Sequence, residues 1–376
     1  MGWLPEQPGN GLDRVYHSLA QALPGAGVDL TGLVVGSPDV SASSSGRVTA
    51  VAPTTAPLPA RLLGVRRAAR SALATGADVV AGHFAIYTLP LLDLLGDTPL
   101  VVHFHGPWAL ESASEGDGRA KAWLKRQLET RVYRRADRCI VLSEAFRTLL
   151  HRTHGVPLDR IRVVPGGVDV DRFAVDASPA AARARLGWPQ DRPILLSVRR
   201  LARRMGLENL VEAFARVRAT LPDALLYIAG TGPLDTALEA EIRARDLADH
   251  VRLLGFVPDR DLPYAYRAAD LSVVPTVRLE GFGLITVESL AAGTPVLVTP
   301  VGGLPETVSA LSEALVLPDA TVDALTTGLT AALRTPASLP SPASCREYAR
   351  STFGWPAIAR RTRDVYAEAV HARGLH

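Results

Sequence analysis

The sequence predicts an α/β protein built as two doubly wound parallel sheets in tandem. Three observations predict it. Short apolar runs alternate with helical patterns along almost the whole chain, which is the signature of parallel strands joined by crossover helices. A turn-rich stretch over 164–189, with Pro165-Gly166-Gly167, Ser178-Pro179 and Gly187-Trp188-Pro189, divides this pattern into halves. The length of 376 residues suits two domains better than one.

In the first half the strands fall at Val28–Val35, Arg47–Val51, Ala77–Ala81, Pro99–His103 and Arg138–Leu142. Helical patterns lie at Leu12–Leu23, Arg61–Ala74, Ala120–Arg135 and Glu144–His151. In the second half strands are expected at Pro193–Val198, Ala224–Ala229, Val251–Leu254, Leu271–Val274 and Pro295–Val298. Helices fit Gly206–Ala219, Leu234–Asp246, Asp261–Ala268, Leu284–Ala292 and Val322–Leu333. The expected domains are 1–168 and 169–356, with a final helix over about 357–376 packing back onto the first. The Pro-rich run Ala52–Pro59 and the segment Thr335–Pro342 read as loops.

Composition excludes several classes. Hydrophobic residues make up 47% and charged residues 21%, enough apolar side chain for two cores and too little charge for disorder. The formal net charge of +3 is not that of a nucleic-acid binder. Cys139 and Cys345 stand far apart without metal-ligand spacing, so neither a disulfide framework nor a zinc site is expected. No apolar run reaches the ~20 residues of a membrane span, and the N-terminus lacks the pattern of a secretory signal. A cytoplasmic location is expected. Peripheral contact with the inner membrane face stays open through the helix bearing Lys121, Lys125, Arg126, Arg131, Arg134 and Arg135 beside Trp123 and Leu124; a solvated basic face is the competing reading.

The strongest motif is Glu280-Gly-Phe-Gly-Leu-Ile-Thr-Val-Glu288 followed by Ser-Leu-Ala-Ala-Gly-Thr-Pro295, directly after the strand Leu271–Val274. Gly281 and Gly283 allow a tight loop. A helix starting near Gly283 would turn the free amides of Gly283, Leu284 and Ile285 toward a phosphate. Glu288, about one turn in, can take ribose hydroxyls, and Glu280 can reach hydroxyls of a sugar. The second motif is Leu195-Leu-Ser-Val-Arg-Arg-Leu201 and Ala-Arg-Arg-Met-Gly-Leu-Glu-Asn-Leu210, a strand followed by clustered guanidinium groups. The third is the glycine loop Pro8-Gly-Asn-Gly-Leu-Asp-Arg14, with Gly9 and Gly11 opening a helix. A strand should precede that loop, yet Met1–Leu4 alone is available, so either it is very short or the start is placed late.

These motifs together resemble the retaining glycosyltransferases of family 4, which have the GT-B fold: two Rossmann-like doubly wound domains facing a central cleft. The resemblance implies that Glu280 meets the donor sugar, that Gly283, Leu284 and Ile285 meet its diphosphate and that Glu288 meets the ribose. Arg200 matches the family's phosphate-clamping Arg, while Arg199 stands where the family has Gly. Met205 occupies the usual Lys position, and Arg204 or Arg203 is expected to supply the lost charge. His105 matches the family His beside the donor sugar, His83 is expected on the acceptor side, and His103 is expected to be structural.

Softer matches extend the resemblance. Gly230 lies in a turn like the family's nucleotide-domain glycine turn. Phe256 and Val257 lie in the segment whose backbone reads the base. Pro165 through Phe173 is similar to the family's passage between domains, and Trp355 with the helix after it to its terminal element. Trp108 and Glu111, in an acidic loop with Glu115 and Asp117, are acceptor-side candidates: an aromatic face for a sugar ring and a carboxylate for hydroxyls. Asp169-Val-Asp171 has the form of a metal motif but falls in the linker, and no metal or other cofactor is expected, because guanidinium groups and a helix dipole neutralise the diphosphate instead.

The implied activity is transfer of a hexosyl group from a nucleoside diphosphate sugar to an acceptor hydroxyl on a glycan, a lipid or a small natural product. The runner-up is a non-catalytic nucleotide-sugar-binding partner subunit, a reading supported by Met205. A nicotinamide dehydrogenase ranks below both, for want of a full Gly-x-Gly-x-x-Gly after the first strand.

Overall fold

The computed structural model describes residues 11–109 and 118–374. Three earlier expectations, a strand at Met1–Leu4 and roles for Gly9 and Glu111, lie outside the described residues. The chain divides into two compact units, Met1–Gly167 together with Trp355–His376, and Val168–Gly354.

In the first unit, strands β3 (Val80–Gly82), β4 (Leu100–Phe104), β5 (Arg138–Val141) and β6 (Ile161–Val163) pair in that order, all parallel. Strands β1 (Gly32–Val35) and β2 (Val48–Ala52) form a separate parallel pair. Helices α1 (Gly11–Ala22), α2 (Leu58–Ala74), α3 (Arg119–Arg135) and α4 (Glu144–His154) connect them. Side chains alternate between the sheet's two faces. Leu100, Val102 and Phe104 pack with Tyr133, Phe146 and Leu150, while Val101 and Ile140 pack with Leu19, Leu23 and the C-terminal helix residues Ile358, Ala359 and Val365. That C-terminal helix (Trp355–Gly374) belongs to this unit and is tied to it by Arg138 and Arg162, which both donate to Glu368, and by Arg373 donating to Asp137.

In the second unit, β7 (Ile194–Val198), β8 (Leu225–Ala229), β9 (Val251–Gly255), β10 (Leu271–Val274) and β11 (Val296–Val298) form one parallel sheet in the order β11-β10-β7-β8-β9. Every residue of β8, β10 and β11 is buried, and all of β7 but Val198, as expected of strands covered on both faces, while the edge strand β9 buries Val251 alone. Strand order reverses between β7 and β10, which makes their carboxyl ends the place where such a sheet opens a crevice.

The stretch over 164–189 differs from its reading as turn and linker. It carries a short helix, Val170–Phe173, and an eight-residue helix, α5 (Pro179–Leu186), ahead of the crossover helices α6 (Leu207–Thr220), α7 (Asp235–Ala244) and α8 (Leu262–Ala268). Ser178 caps α5 by accepting from the amide of Ala181, Pro179 sits at its first turn, and Gly187 closes it in the left-handed conformation. Ser-Pro and Gly are thus the start and stop of a helix rather than a loop. The metal-like Asp169 and Asp171 serve locally: Asp169 caps Val170–Phe173 by accepting from the amide of Arg172, and Asp171 pairs with Arg350 at 2.9 Å. Strand β6 was not anticipated.

Candidate active site

The strongest motif folds at the switch point of the second unit. After β10, residues 275–283 form a loop and the helix α9 (Leu284–Ala292) begins, with Gly283 as its N-cap at φ +80°. A Cβ on Gly283 would stand 2.5 Å from the Leu304 side chain, so both conformation and space require glycine. The first amides of α9 have no intrahelical acceptor and carry the positive end of the helix dipole. Leu284, Ile285 and Glu288 are half-buried, whereas Thr286 and Val287 between them are buried, so the former mark the helix's accessible side.

Glu280 is fixed from several directions. Its Oε2 accepts from Arg199 Nη2 at 2.5 Å, and the same guanidinium nitrogen donates to the Thr276 hydroxyl. Its carbonyl accepts from the amide of Gly303 at 3.0 Å and packs on Gly302, where a Cβ would come within 1.9 Å of it. The preceding carbonyl, of Leu279, accepts from Arg204 Nη1 at 2.8 Å. Arg199 and Glu280 are both largely withdrawn from solvent, at 7% and 14% side-chain exposure. The charge-assisted hydrogen bond from Arg199 takes up Oε2 of Glu280.

The basic cluster after β7 resolves into distinct tasks. Arg199 is the partner of Glu280, a role the reading of it as a replaced glycine missed. Arg200, the next residue, is exposed at the carboxyl end of β7. Arg204 is spent on the Leu279 carbonyl and so braces the Glu280 loop. Arg203 points outward at 85% exposure, 3.7 Å from Glu208. Met205 is buried. Glu288 is held by Tyr266, whose hydroxyl donates to Oε2 at 3.1 Å. Gly230 packs its Cα on the Arg199 carbonyl, where a Cβ would stand 1.9 Å away; its need for glycine is met by the protein itself. Phe256 is exposed just past β9, with Val257 half-buried beside it.

In the first unit, His83 follows β3 and His105 follows β4. His83 Nδ1 and His105 Nε2 share a hydrogen bond of 3.2 Å. Their ring centroids are 5.5 Å apart with 20° between the planes. His103 stacks under His83 at 4.0 Å and bonds through Nε2 to the Tyr366 hydroxyl at 3.0 Å. Nitrogens of all three come within 4.8 Å of one another. Burial holds the pKa of His105 down to about 4 and those of His83 and His103 well below the ordinary imidazole value, with the neighbouring rings adding to the effect for His83 and His103.

Trp108 is half-buried, with Lys125 Nζ over its ring at 4.4 Å and Phe84 at 5.7 Å. The Lys125 cation therefore takes up one ring face proposed for a sugar. The amides of Trp108 and Ala109 donate to the two carboxylate oxygens of the buried Glu129. On α3, Arg126 and Arg134 donate to the carbonyls of Thr153 and His154, and Arg135 pairs with Asp137, so these three of the helix's seven basic side chains serve internal contacts. Trp123 and Leu124 are exposed. No described helix is long and apolar enough to cross a membrane.

Parallel sheets of this kind, with a phosphate-suited helix start and a fixed carboxylate at the switch point, define a GT-B glycosyltransferase fold. Solved structures agree on the fold. Sucrose-phosphate synthase from Thermosynechococcus elongatus is 24% identical, with a TM-score of 0.77 over 97% of this chain and 94% of that one. Anabaena HepE in complex with UDP is 18% identical, with a TM-score of 0.77 over 96% and 97%. The profile "Glycosyltransferase Family 4" matches residues 9–172 and "Glycosyl transferases group 1" matches 180–352. D-inositol 3-phosphate glycosyltransferase from Kineococcus radiotolerans is 32% identical over 74% of this chain and 68% of its own length. Mannosylfructose-phosphate synthase from Agrobacterium fabrum is 33% identical over 49% of this chain and 42% of its own. The chain belongs to the family 4, group 1 glycosyltransferases.

Proposed function

We propose that this glycosyltransferase moves a hexosyl group from a nucleoside diphosphate sugar to an acceptor hydroxyl, with retention of anomeric configuration and without a metal. The observation that carries the reading is Glu280, fixed by Arg199 at the start of α9 beside amides suited to a diphosphate. Those amides and Arg200 receive the diphosphate and stabilise the charge that grows on it as the glycosidic bond breaks. Glu280 holds sugar hydroxyls through its remaining oxygen, and Glu288, held by Tyr266, takes the ribose. The resemblance to retaining enzymes supports front-face attack by the acceptor with no covalent nucleophile, and assigns His105 to the donor. Trp108 and His83 remain the acceptor-side candidates. A donor of this class agrees with the UDP-glucose held by Anabaena HepE.

The rival reading of a non-catalytic partner subunit rested on Met205. Met205 is buried, and Arg204 works through the Glu280 loop rather than on a phosphate, so the cationic partner proposed here is Arg200. The test is donor turnover with UDP-, GDP-, ADP- and dTDP-sugars, scored by release of the nucleoside diphosphate and by the anomeric configuration of the product. Release that disappears in Glu280→Ala supports the proposal; donor binding without turnover across a broad acceptor panel contradicts it.

A further inference from the structure

His83, His103 and His105 meet because of the strand register. Parallel neighbours β3 and β4 place Gly82 opposite Val102, so one residue further on His83 stands level with His103. Adjacent strands lie about 4.8 Å apart. The two rings close that gap and stack at 4.0 Å. His103 and His105, two residues apart, share a face of the strand direction, with 10° between their planes. His103 is held in turn by the Tyr366 hydroxyl, and Tyr366 of the C-terminal helix packs with Val101 and Ile140. Tyr16 borders His83 edge-on at 4.9 Å. His83 is thus wedged between two rings and buried, and its Nδ1 bonds to Nε2 of the half-buried His105 at 3.2 Å.

That bond ties the two tautomers together. Burial keeps all three imidazoles neutral around pH 7. A neutral imidazole has one N–H and one bare nitrogen, so in a shared bond one ring donates and the other accepts. If His83 Nδ1 donates, His105 Nε2 is bare and the His105 proton sits on Nδ1. If His83 Nδ1 accepts, His105 Nδ1 is bare. Nε2 is taken either way, so Nδ1 is the nitrogen that meets a ligand, and the two forms have opposite chemistry. Phosphate oxygens only accept hydrogen bonds. An N–H aimed at them stabilises the charge they gain as a glycosidic bond breaks, whereas a bare nitrogen repels it.

We propose that His83 is a positioning residue: it donates Nδ1–H to His105 Nε2 and so makes His105 present Nδ1–H to the departing diphosphate. The stack on His103, anchored by Tyr366, holds the His83 ring in the orientation this requires. The proposal rests on the assignment of His105 to the donor.

Proton–nitrogen correlation spectra of the imidazole rings, recorded on the isotope-labelled full chain near pH 7 without ligand, report which nitrogen of His105 carries the proton. Three proteins are compared: the wild type, His83→Gln, whose side-chain amide still donates, and His83→Phe, which keeps a ring on His103 but donates nothing. Nδ1–H on His105 in the wild type and in His83→Gln, with a mixture of tautomers in His83→Phe, is the expected result. For donor turnover, kcat should be roughly tenfold or more lower in His83→Phe than in His83→Gln. The spectra need no substrate, so a failure of the transfer reaction and a failure of this proposal are read separately. Nε2–H on His105 in the wild type, or the same tautomer in all three proteins, overturns the proposal.

Discussion

Arg199 and Glu280 are 81 positions apart in sequence and form a buried ion pair at 2.5 Å, at the carboxyl ends of β7 and β10. The family pattern has glycine at the position of Arg199. This chain therefore carries a built-in cation against the carboxylate proposed to hold the donor sugar.

Removing one partner of a dry pair leaves the other charge uncompensated, a loss of about 3–5 kcal/mol for fully buried pairs. Arg199→Ala is expected to lose somewhat less, because Glu280 keeps some contact with solvent, and to lower kcat by at least tenfold. Arg199→Lys restores the charge but not the shared contact with Thr276, and falls between. Thermal unfolding and initial rates on the same samples check both parts.

Gly302 has φ +59° and faces the Glu280 carbonyl, where a Cβ would stand 1.9 Å away. Gly302→Ala must move the Glu280 loop, since neither the backbone angle nor the space admits a side chain. A loss of roughly 1–3 kcal/mol in stability, with a weaker affinity for the donor, is expected from calorimetry. An unchanged donor affinity would show that the loop's position is unimportant.

The His83, His103 and His105 cluster makes the fold acid-sensitive. Their folded-state pKa values are depressed from 6.5, to about 4 for His105. Between these values the unfolded chain binds more protons than the folded one, so stability rises with pH across the window. The contribution is whole above about pH 6.5 and is lost as pH falls toward 4. Melting temperature measured from pH 7.5 to 4.5 should fall in the wild type, and fall less steeply in His83→Gln; parallel curves would contradict this.

Tyr266 acts through Glu288. Tyr266→Phe removes one hydrogen bond at 3.1 Å without opening a cavity. Stability should drop by about 0.5–1.5 kcal/mol. If Glu288 meets the ribose, the KM for the donor rises while kcat changes little, and steady-state kinetics separate the two.

Much of the fold was legible because both sheets are parallel and buried. Runs such as Leu271–Val274 stand out as uninterrupted apolar segments, and Leu284–Ala292 is bracketed by Gly283 and Gly293. Strand β6 escaped notice because it spans only Ile161–Val163, with Arg162 in its middle. Helix α5 was hidden by Ser178-Pro179 and Gly187, residues equally at home in turns and at helix ends. The motif that suits a diphosphate was local and therefore readable. The contacts that hold it were not: Arg199 with Glu280, Tyr266 with Glu288 and His83 with His105 join residues that only the folded chain brings together. Two adjacent arginines after a strand give no sign of which one turns inward.

The central claim is a division of labour at the start of α9, with Arg200 and the helix amides on the diphosphate and Glu280 on the sugar. Titration calorimetry of the wild type, Arg200→Ala and Glu280→Ala with a nucleoside diphosphate and with its sugar conjugate tests it directly. The account predicts that Arg200→Ala weakens both ligands alike, while Glu280→Ala weakens the sugar conjugate alone. Equal weakening of both ligands by Glu280→Ala, or no effect of Arg200→Ala on either, would contradict it.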